Sequence, residues 1–274
     1  MFQNVDWRVV DGFGDEWSRF DQSSLTDDEL RRMFDGYFAI FPWRSLPENA
    51  VGFDLGCGSG RWAKLLAPRV GRLHLIDPSD AIEVAKRNLS GFDNCEFHRA
   101  GVDDIPLTDE SCDFGCSLGV LHHIPETEAG LAACVTKLKP GAPFLVYLYY
   151  RFDNRPAWFR ALWRVSEVGR NSISRMPHTL RYGFSQAIAA TVYWPLARGA
   201  RSLERLGLKV DALPLAQYRS NSFYTMRTDA LDRFGTRLEK RFTKDEIQGM
   251  MERTGLENIK FADSAFWTAV GYKK

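Results

Sequence analysis

The chain has little of what marks a secreted, membrane-spanning or nucleic-acid-coating protein. Its five cysteines (Cys57, Cys95, Cys112, Cys116, Cys134) are odd in number and contain no CxxC pair. That excludes a disulfide scaffold and points to reduced thiols in a cytoplasmic setting. No basic segment followed by an apolar stretch opens the sequence, so no secretory signal is expected. The longest apolar run, Phe184 to Leu196, holds about thirteen residues, against the roughly 20 a membrane span needs. Contact with a membrane surface stays open. Net charge is nearly absent as well: 36 Lys+Arg stand against 35 Asp+Glu, a formal +1, which argues against a uniformly basic nucleic-acid binder. No internal repeat or low-complexity tract is visible.

What is present is an ordinary globular mixture, 45% hydrophobic and 26% charged over 274 residues. It is enough for one large α/β domain or two small ones. Residues 1–49 read as an N-terminal helical cap. Apolar residues recur at helical spacing from Leu30 to Phe41, Thr26 is placed to cap the helix, and Pro42 ends the run. Over residues 50–150 short β-rich runs alternate with helical stretches: Ala50–Leu55, Arg72–Ile76, Asn94–Arg99, Cys112–Ser117 and Pro143–Tyr150. Such alternation predicts a parallel sheet covered by helices. Residues 151–240 lack a β pattern and read as a mainly helical insertion. Residues 241–274 hold a helix and two strands, Leu256–Ala262 and Phe266–Tyr272, whose short connection predicts an antiparallel hairpin.

The most informative stretch is Asp54-Leu-Gly56-Cys57-Gly58-Ser-Gly60-Arg61. It follows the first strand and leads into a helix, where glycines let the backbone approach a ligand closely. The spacing is G-x-G-x-G rather than the dinucleotide G-x-G-x-x-G, and no G-K-[ST] ending makes it a P-loop. About 20 residues further on, Asp77-Pro78-Ser79 puts a carboxylate at the end of a second strand, where it can accept hydrogen bonds from ribose hydroxyls.

The order of these elements resembles class I S-adenosylmethionine-dependent methyltransferases, in particular the group with ubiquinone/menaquinone-type and natural-product O-methyltransferases. The match runs on through Gly101-Val102-Asp103-Asp-Ile-Pro-Leu107, then Asp113 to Leu118-Gly119-Val-Leu-His122-His123-Ile-Pro125, and Leu138-Lys-Pro-Gly-Ala142. The resemblance implies a Rossmann-like α/β fold with a seven-stranded, mostly parallel sheet, and S-adenosyl-L-methionine as cofactor. It implies that Asp54 and the backbone of Gly56, Cys57, Gly58 and Gly60 hold the methionine portion, and that Asp77, with Pro78 and Ser79, binds the ribose. Gly101, Val102 and Asp103 would lie beside the adenine, with Leu118 and Gly119 on the floor near the methionine end. Many members carry Asp at the position of Gly101 to bond the adenine amino group. Here backbone groups, or Asp103 after a small loop shift, would have to read the base.

For the acceptor side, His123 and His122 follow the fourth strand, and histidine is the natural general base near neutral pH; packing or capping roles compete with that reading. Trp17 is a candidate lid or sulfonium-facing aromatic. The insertion carries eleven Lys/Arg against three Asp/Glu over residues 151–210, which favours an anionic acceptor or surface, while its apolar helices suit a lipid-like one. Tyr218, Tyr224, Arg227 and Asp229 fall in polar, aromatic, loop-like sequence and are the candidate acceptor contacts. Cys112, Cys116 and the two histidines have no recognisable metal-ligand spacing, and no metal is expected. The expected function is methyl transfer to a small-molecule or lipid-like acceptor at oxygen. A nitrogen or carbon acceptor, or a non-catalytic cofactor-binding module, remains an alternative.

Overall fold

Segments such as Phe114–Leu118 and Pro143–Tyr147 are buried at every position, the signature of strands covered on both faces. The computed structural model describes residues 4–152, 155–263 and 267–274 and places these segments inside a seven-stranded sheet. Two units divide the chain. Met1–Gln22, Leu30–Arg151 and Leu238–Lys274 form one, Ser23–Glu29 and Phe152–Arg237 the other.

In chain order the elements are α1 (Trp7–Arg19), α2 (Asp27–Tyr37), β1 (Val51–Leu55), α3 (Ala63–Leu66), β2 (Arg72–Ile76), α4 (Ala81–Asn88), β3 (Cys95–His98), β4 (Phe114–Leu118), α5 (Thr127–Lys137) and β5 (Pro143–Tyr147). The second unit supplies α6 (Ala157–Ile173), α7 (His178–Ile188), α8 (Trp194–Arg205) and α9 (Phe223–Gly235). The first resumes with α10 (Lys244–Arg253), β6 (Leu256–Phe261) and β7 (Thr268–Lys273). The sheet order is β3-β2-β1-β4-β5-β7-β6. Strands β1 to β5 run parallel, and β7 is antiparallel to both β5 and β6. This is the expected Rossmann-like sheet with antiparallel C-terminal strands. The expected second late strand began at Phe266, which lies outside the described residues.

The strand order reverses between β1 and β4, and in open α/β sheets a ligand crevice opens at the carboxyl ends of the strands at that switch point. Phe53, Leu55, Ile76, Phe144 and Val146 pack on one face of the sheet with Leu131 and Val135 of α5 and Met250 and Met251 of α10. That core holds the strand ends rigid beneath the crevice.

In the second unit α9 is the pillar, and it corrects the reading of this segment as loop. Ser222 caps it by accepting the Thr225 N–H, and Met226, Ala230 and Phe234 bury one face against Ala189, Tyr193 and Ala197. The polar residues of the sequence had concealed that 3–4 spacing. Both helix ends are neutralised from afar. The buried Glu29 carboxylate accepts from Ser222 N (2.8 Å) and Thr225 Oγ1 (2.7 Å) at the start. At the other end, buried Arg170 and Arg181 donate to the carbonyls of Thr236 and Gly235. Negative charge at the N-terminus and positive at the C-terminus both oppose the helix dipole. Between α7 and α8 the helix widens into a π turn at Ala189–Tyr193, next to Pro195, which has no N–H to continue the ladder. Among the described residues no helix is long and apolar enough to cross a membrane.

Candidate active site

The glycine loop leaves β1 through three left-handed residues, Gly56 (φ +73°), Gly58 (φ +54°) and Gly60 (φ +76°). Each is also held by a close neighbour. A Cβ on Gly56 would stand 2.3 Å from Val120, one on Gly58 2.9 Å from Trp17 Nε1, and one on Gly60 2.8 Å from Leu89 Cδ1. The loop is thus wedged between the segment after β4, helix α1 and helix α4. Trp17, expected as a lid, lies directly over Gly58, and the Arg61 guanidinium sits 5.4 Å from its ring. Farther up α1, Gly14 lies against Ser79, where a Cβ would come within 3.6 Å.

Two buried carboxylates flank the loop. Asp54 is 1% exposed, and Cys116 Sγ donates to its Oδ1 at 3.6 Å. Its Oδ2 has no hydrogen-bond partner among the described residues. Burial pushes the Asp54 carboxyl up to about 7, with Asp77 adding repulsion and Cys116 and Arg61 opposing. Asp77 is 7% exposed and also raised by burial. Its Oδ1 already accepts from Ser79 N (2.9 Å) and Ser79 Oγ (2.6 Å), and its Oδ2 from Gly58 N (3.0 Å). Three of about four acceptor positions are therefore taken, and the remaining capacity lies on Oδ2. Pro78 is half-buried beside it. The Cys57 thiol is buried between the two carboxylates, and burial raises its pKa well above the ordinary value, so it serves as packing rather than as a nucleophile.

Gly101 opens the turn Val102–Asp104. A feature the sequence did not announce closes over it. Asn4 donates its backbone N–H to the Asp103 carboxylate and its side-chain amide to Glu126 O (2.8 Å), and its Oδ1 accepts from Glu126 N (2.6 Å). Val5 approaches Gly101 closely enough that a Cβ there would stand 3.2 Å from it. Asp103 is thus engaged in fastening the N-terminal segment. Leu118 ends β4 at 9% exposure, and Gly119 follows at φ +78°, where a Cβ would meet nothing within 4 Å. That combination marks open space at the mouth of the switch point.

His122 and His123 are both buried, yet they differ. His123 Nδ1 lies 2.7 Å from the Leu238 carbonyl; since a carbonyl only accepts, Nδ1 is the donor in this contact. Phe13 packs against this ring with centroids 5.0 Å apart. His122 stacks on Tyr149 at 3.8 Å, its ring nitrogens have no hydrogen-bond partner among the described residues, and burial holds its pKa well below the ordinary value. It is a neutral packing ring. An aromatic row continues from it: Tyr149 to Tyr147 at 5.8 Å, Tyr147 to Tyr37 at 5.2 Å, Tyr37 to Trp62 at 5.1 Å. The cluster Tyr147-Leu-Tyr149-Tyr150 at the end of β5 was the available sequence signal for this wall.

The four expected acceptor contacts all belong to the second unit. Tyr218 lies 5.4 Å from the Tyr193 ring. Tyr224, Arg227 and Asp229 sit on α9, where Arg227 bridges to Gln186 (2.5 Å) and Tyr182 (2.9 Å) of α7. Much of the insertion's positive charge is likewise internal. Arg155 bonds the Asp211 carbonyl, Arg198 those of Arg219 and Asn221, and Arg219 the Glu204 carboxylate.

The family described as "Methyltransferase domain" matches residues 53–146. Over those residues the chain is similar to a methyltransferase domain. Over 112 residues it is 30% identical to the demethylmenaquinone methyltransferase of Clavibacter sepedonicus, covering 38% of this chain and 46% of that protein. Over 101 residues it is 30% identical to the ubiquinone biosynthesis O-methyltransferase of Hahella chejuensis, covering 36% and 42%. The chain thus spans less than half the length of either relative. An S-adenosylmethionine-dependent methyltransferase of Thermotoga maritima shares the fold, with a TM-score of 0.54 at 15% identity over 98% of this chain and 100% of that one. The methyltransferase domain as matched contains the glycine loop, Asp77, Gly101–Asp103 and both histidines. Trp17, Asn4 and the second unit lie outside it.

Proposed function

We propose that this protein transfers a methyl group from S-adenosylmethionine to a hydroxyl of a small, ring-bearing, largely apolar acceptor. The observation that carries the reading is the partnerless Oδ2 of buried Asp54 beside a left-handed glycine loop. A buried carboxylate oxygen left without a donor is costly unless a ligand completes it. The residues fit the cofactor. Asp54 in its ionised form offers an anion for an ammonium, the loop glycines offer backbone without side chains of their own, and Asp77 Oδ2 retains capacity for a ribose hydroxyl. When bound, S-adenosylmethionine supplies a methyl group activated by its sulfonium.

The chain's own residues do the rest. Trp17 and α1 cover the loop and restrict water. His123 Nε2 takes the proton of the acceptor hydroxyl, and Leu238 O fixes the tautomer that makes this possible. The aromatic row from His122 to Trp62 supplies flat apolar surface for a ring. Both relatives are named for quinone-related steps, which supports a phenolic or quinol-type acceptor. The five free thiols support a reducing, cytoplasmic setting.

The test is incubation of the purified chain with methyl-labelled cofactor and a panel of quinols and simple phenols, reading label in the organic phase. Transfer to a hydroxyl supports the reading. Cofactor binding without transfer to any acceptor or metabolite extract would favour a non-catalytic binding module.

A further inference from the structure

We propose that His74, Glu96 and His98 form a binding site for one zinc-type divalent transition-metal ion at the outer edge of the sheet. The three residues come from two strands, with no loop involved. In the parallel register of β2 and β3, His74 pairs with Glu96 and Ile76 with His98. Registered partners share a face, and residues 96 and 98, two apart on one strand, share it too. Because β3 is the edge strand, that face is reached from the side of the sheet.

The distances suit a metal. His74 Nδ1 lies 3.0 Å from His98 Nε2 and 3.3 Å from Glu96 Oε2, and the three donor atoms all fall within 4.8 Å of one another. Around a tetrahedral zinc with bonds of 2.0–2.1 Å, donors stand about 3.4 Å apart. A spread of a few tenths of an ångström between the imidazoles would therefore admit an ion. Two ring nitrogens this close hold at most one proton between them, and a cation can take its place. Two imidazoles and one carboxylate are a borderline donor set, suited to zinc and its neighbours rather than to calcium or magnesium, which want oxygen throughout. The fourth position would hold water.

The surroundings leave the ion a way in. The His74 side chain is 12% exposed and that of Glu96 44%, so the carboxylate stands at the solvent side. Arg72 pairs with the other carboxylate oxygen, Oε1, at 3.2 Å and is itself 58% exposed, free to keep that contact or withdraw. The site also touches the ligand crevice through the backbone: Asp77 N–H donates to His98 O at 3.1 Å. An ion held by His98 would brace the strand end that presents Asp77.

The experiment strips the full chain with a chelator, then titrates it with Zn²⁺ by calorimetry and with Co²⁺ by visible absorption. The expected result is one ion per chain, a Co²⁺ band typical of tetrahedral nitrogen and oxygen ligation, and a raised unfolding temperature. His98→Ala and Glu96→Gln should each weaken binding more than about tenfold, while His178→Ala leaves it unchanged. Glu96→Gln is the safeguard against misfolding, since the side chain is half exposed, and circular dichroism would verify both variants. Absence of stoichiometric binding, or binding equally strong in His98→Ala and Glu96→Gln, would overturn the proposal.

Discussion

Cys116 Sγ donates to Asp54 Oδ1 across 3.6 Å, from the strand position directly in register with it. A thiol is a weak donor, so it only partly offsets the burial that raises the Asp54 carboxyl to about 7. The carboxyl group in β1 is therefore kept short of partners, beside the left-handed glycine loop.

The first prediction concerns pH and folding. An aspartate raised in the folded chain from 3.8 to about 7 binds protons more tightly there than when unfolded. Its contribution is favourable below pH 4 and is lost as pH rises to about 7, by up to about 4 kcal/mol. His122, whose pKa is lowered by burial, acts the other way, costing stability as pH falls below the ordinary imidazole range. The difference between the parent and Asp54→Asn isolates the aspartate. In urea unfolding, the variant should gain stability relative to the parent at pH 8, and that advantage should shrink by more than half at pH 5. An equal difference at both pH values would contradict the raised carboxyl.

A second consequence concerns ligand binding. An ammonium needs the ionised form of Asp54, so cofactor affinity should rise with pH from 6 to 8 and then level. Binding at pH 6 should release a proton, seen calorimetrically as a dependence on buffer ionisation enthalpy. Asp54→Asn should bind more weakly with a flat profile.

The third prediction is steric. Gly58→Ala places a side chain at φ +54° and against Trp17 Nε1. The left-handed conformation alone costs roughly 1–2 kcal/mol. Thermal unfolding should show a larger loss than that, and Trp17→Ala should recover the excess and leave the backbone part. Full additivity of the two changes would mean that the indole does not lie over the loop.

Asp77→Ala should weaken the cofactor at least tenfold, since a charge-assisted hydrogen bond is worth roughly 1.5–3 kcal/mol. Ser79→Ala should act more mildly, because it frees one position on Oδ1 while leaving the carboxylate in place. Unchanged affinity in Asp77→Ala would remove this residue from the ribose site.

Much of this was legible in the sequence for local reasons. Strand β2 falls at Arg72–Ile76 as expected, and Thr26 caps α2 by accepting from Glu29 N. The glycines and Asp77 were legible because a tight turn and a strand end impose residue types at short range. What escaped notice acts over distance. Asn4 reaches Asp103 and Glu126, and Glu29 reaches Ser222. Tyr37 meets Tyr147 only once the sheet exists. His74 meets His98 only through the register of two strands. Helix α9 was obscured by its polar exterior, although Ser222 and the spacing of Met226, Ala230 and Phe234 were there to be read.

The last prediction separates the two histidines. His123 Nδ1 donates to Leu238 O, so in the proposed reaction Nε2 is the atom that would take the proton. His123→Ala should lower kcat by roughly 10²–10⁴ with cofactor affinity nearly intact. The rise of log rate with pH, slope one in the parent, should disappear in the variant. His122 is a neutral ring stacked on Tyr149, with burial holding its pKa well below the usual value. Its replacement by Phe should keep kcat within about tenfold and keep the pH limb. His122→Ala should instead destabilise the fold by opening a cavity against Tyr149. An acidic phenol as acceptor arrives already ionised, so the penalty in His123→Ala should shrink as acceptor pKa falls. A penalty that stays constant across a phenol series would assign His123 to alignment of the acceptor rather than to removal of its proton.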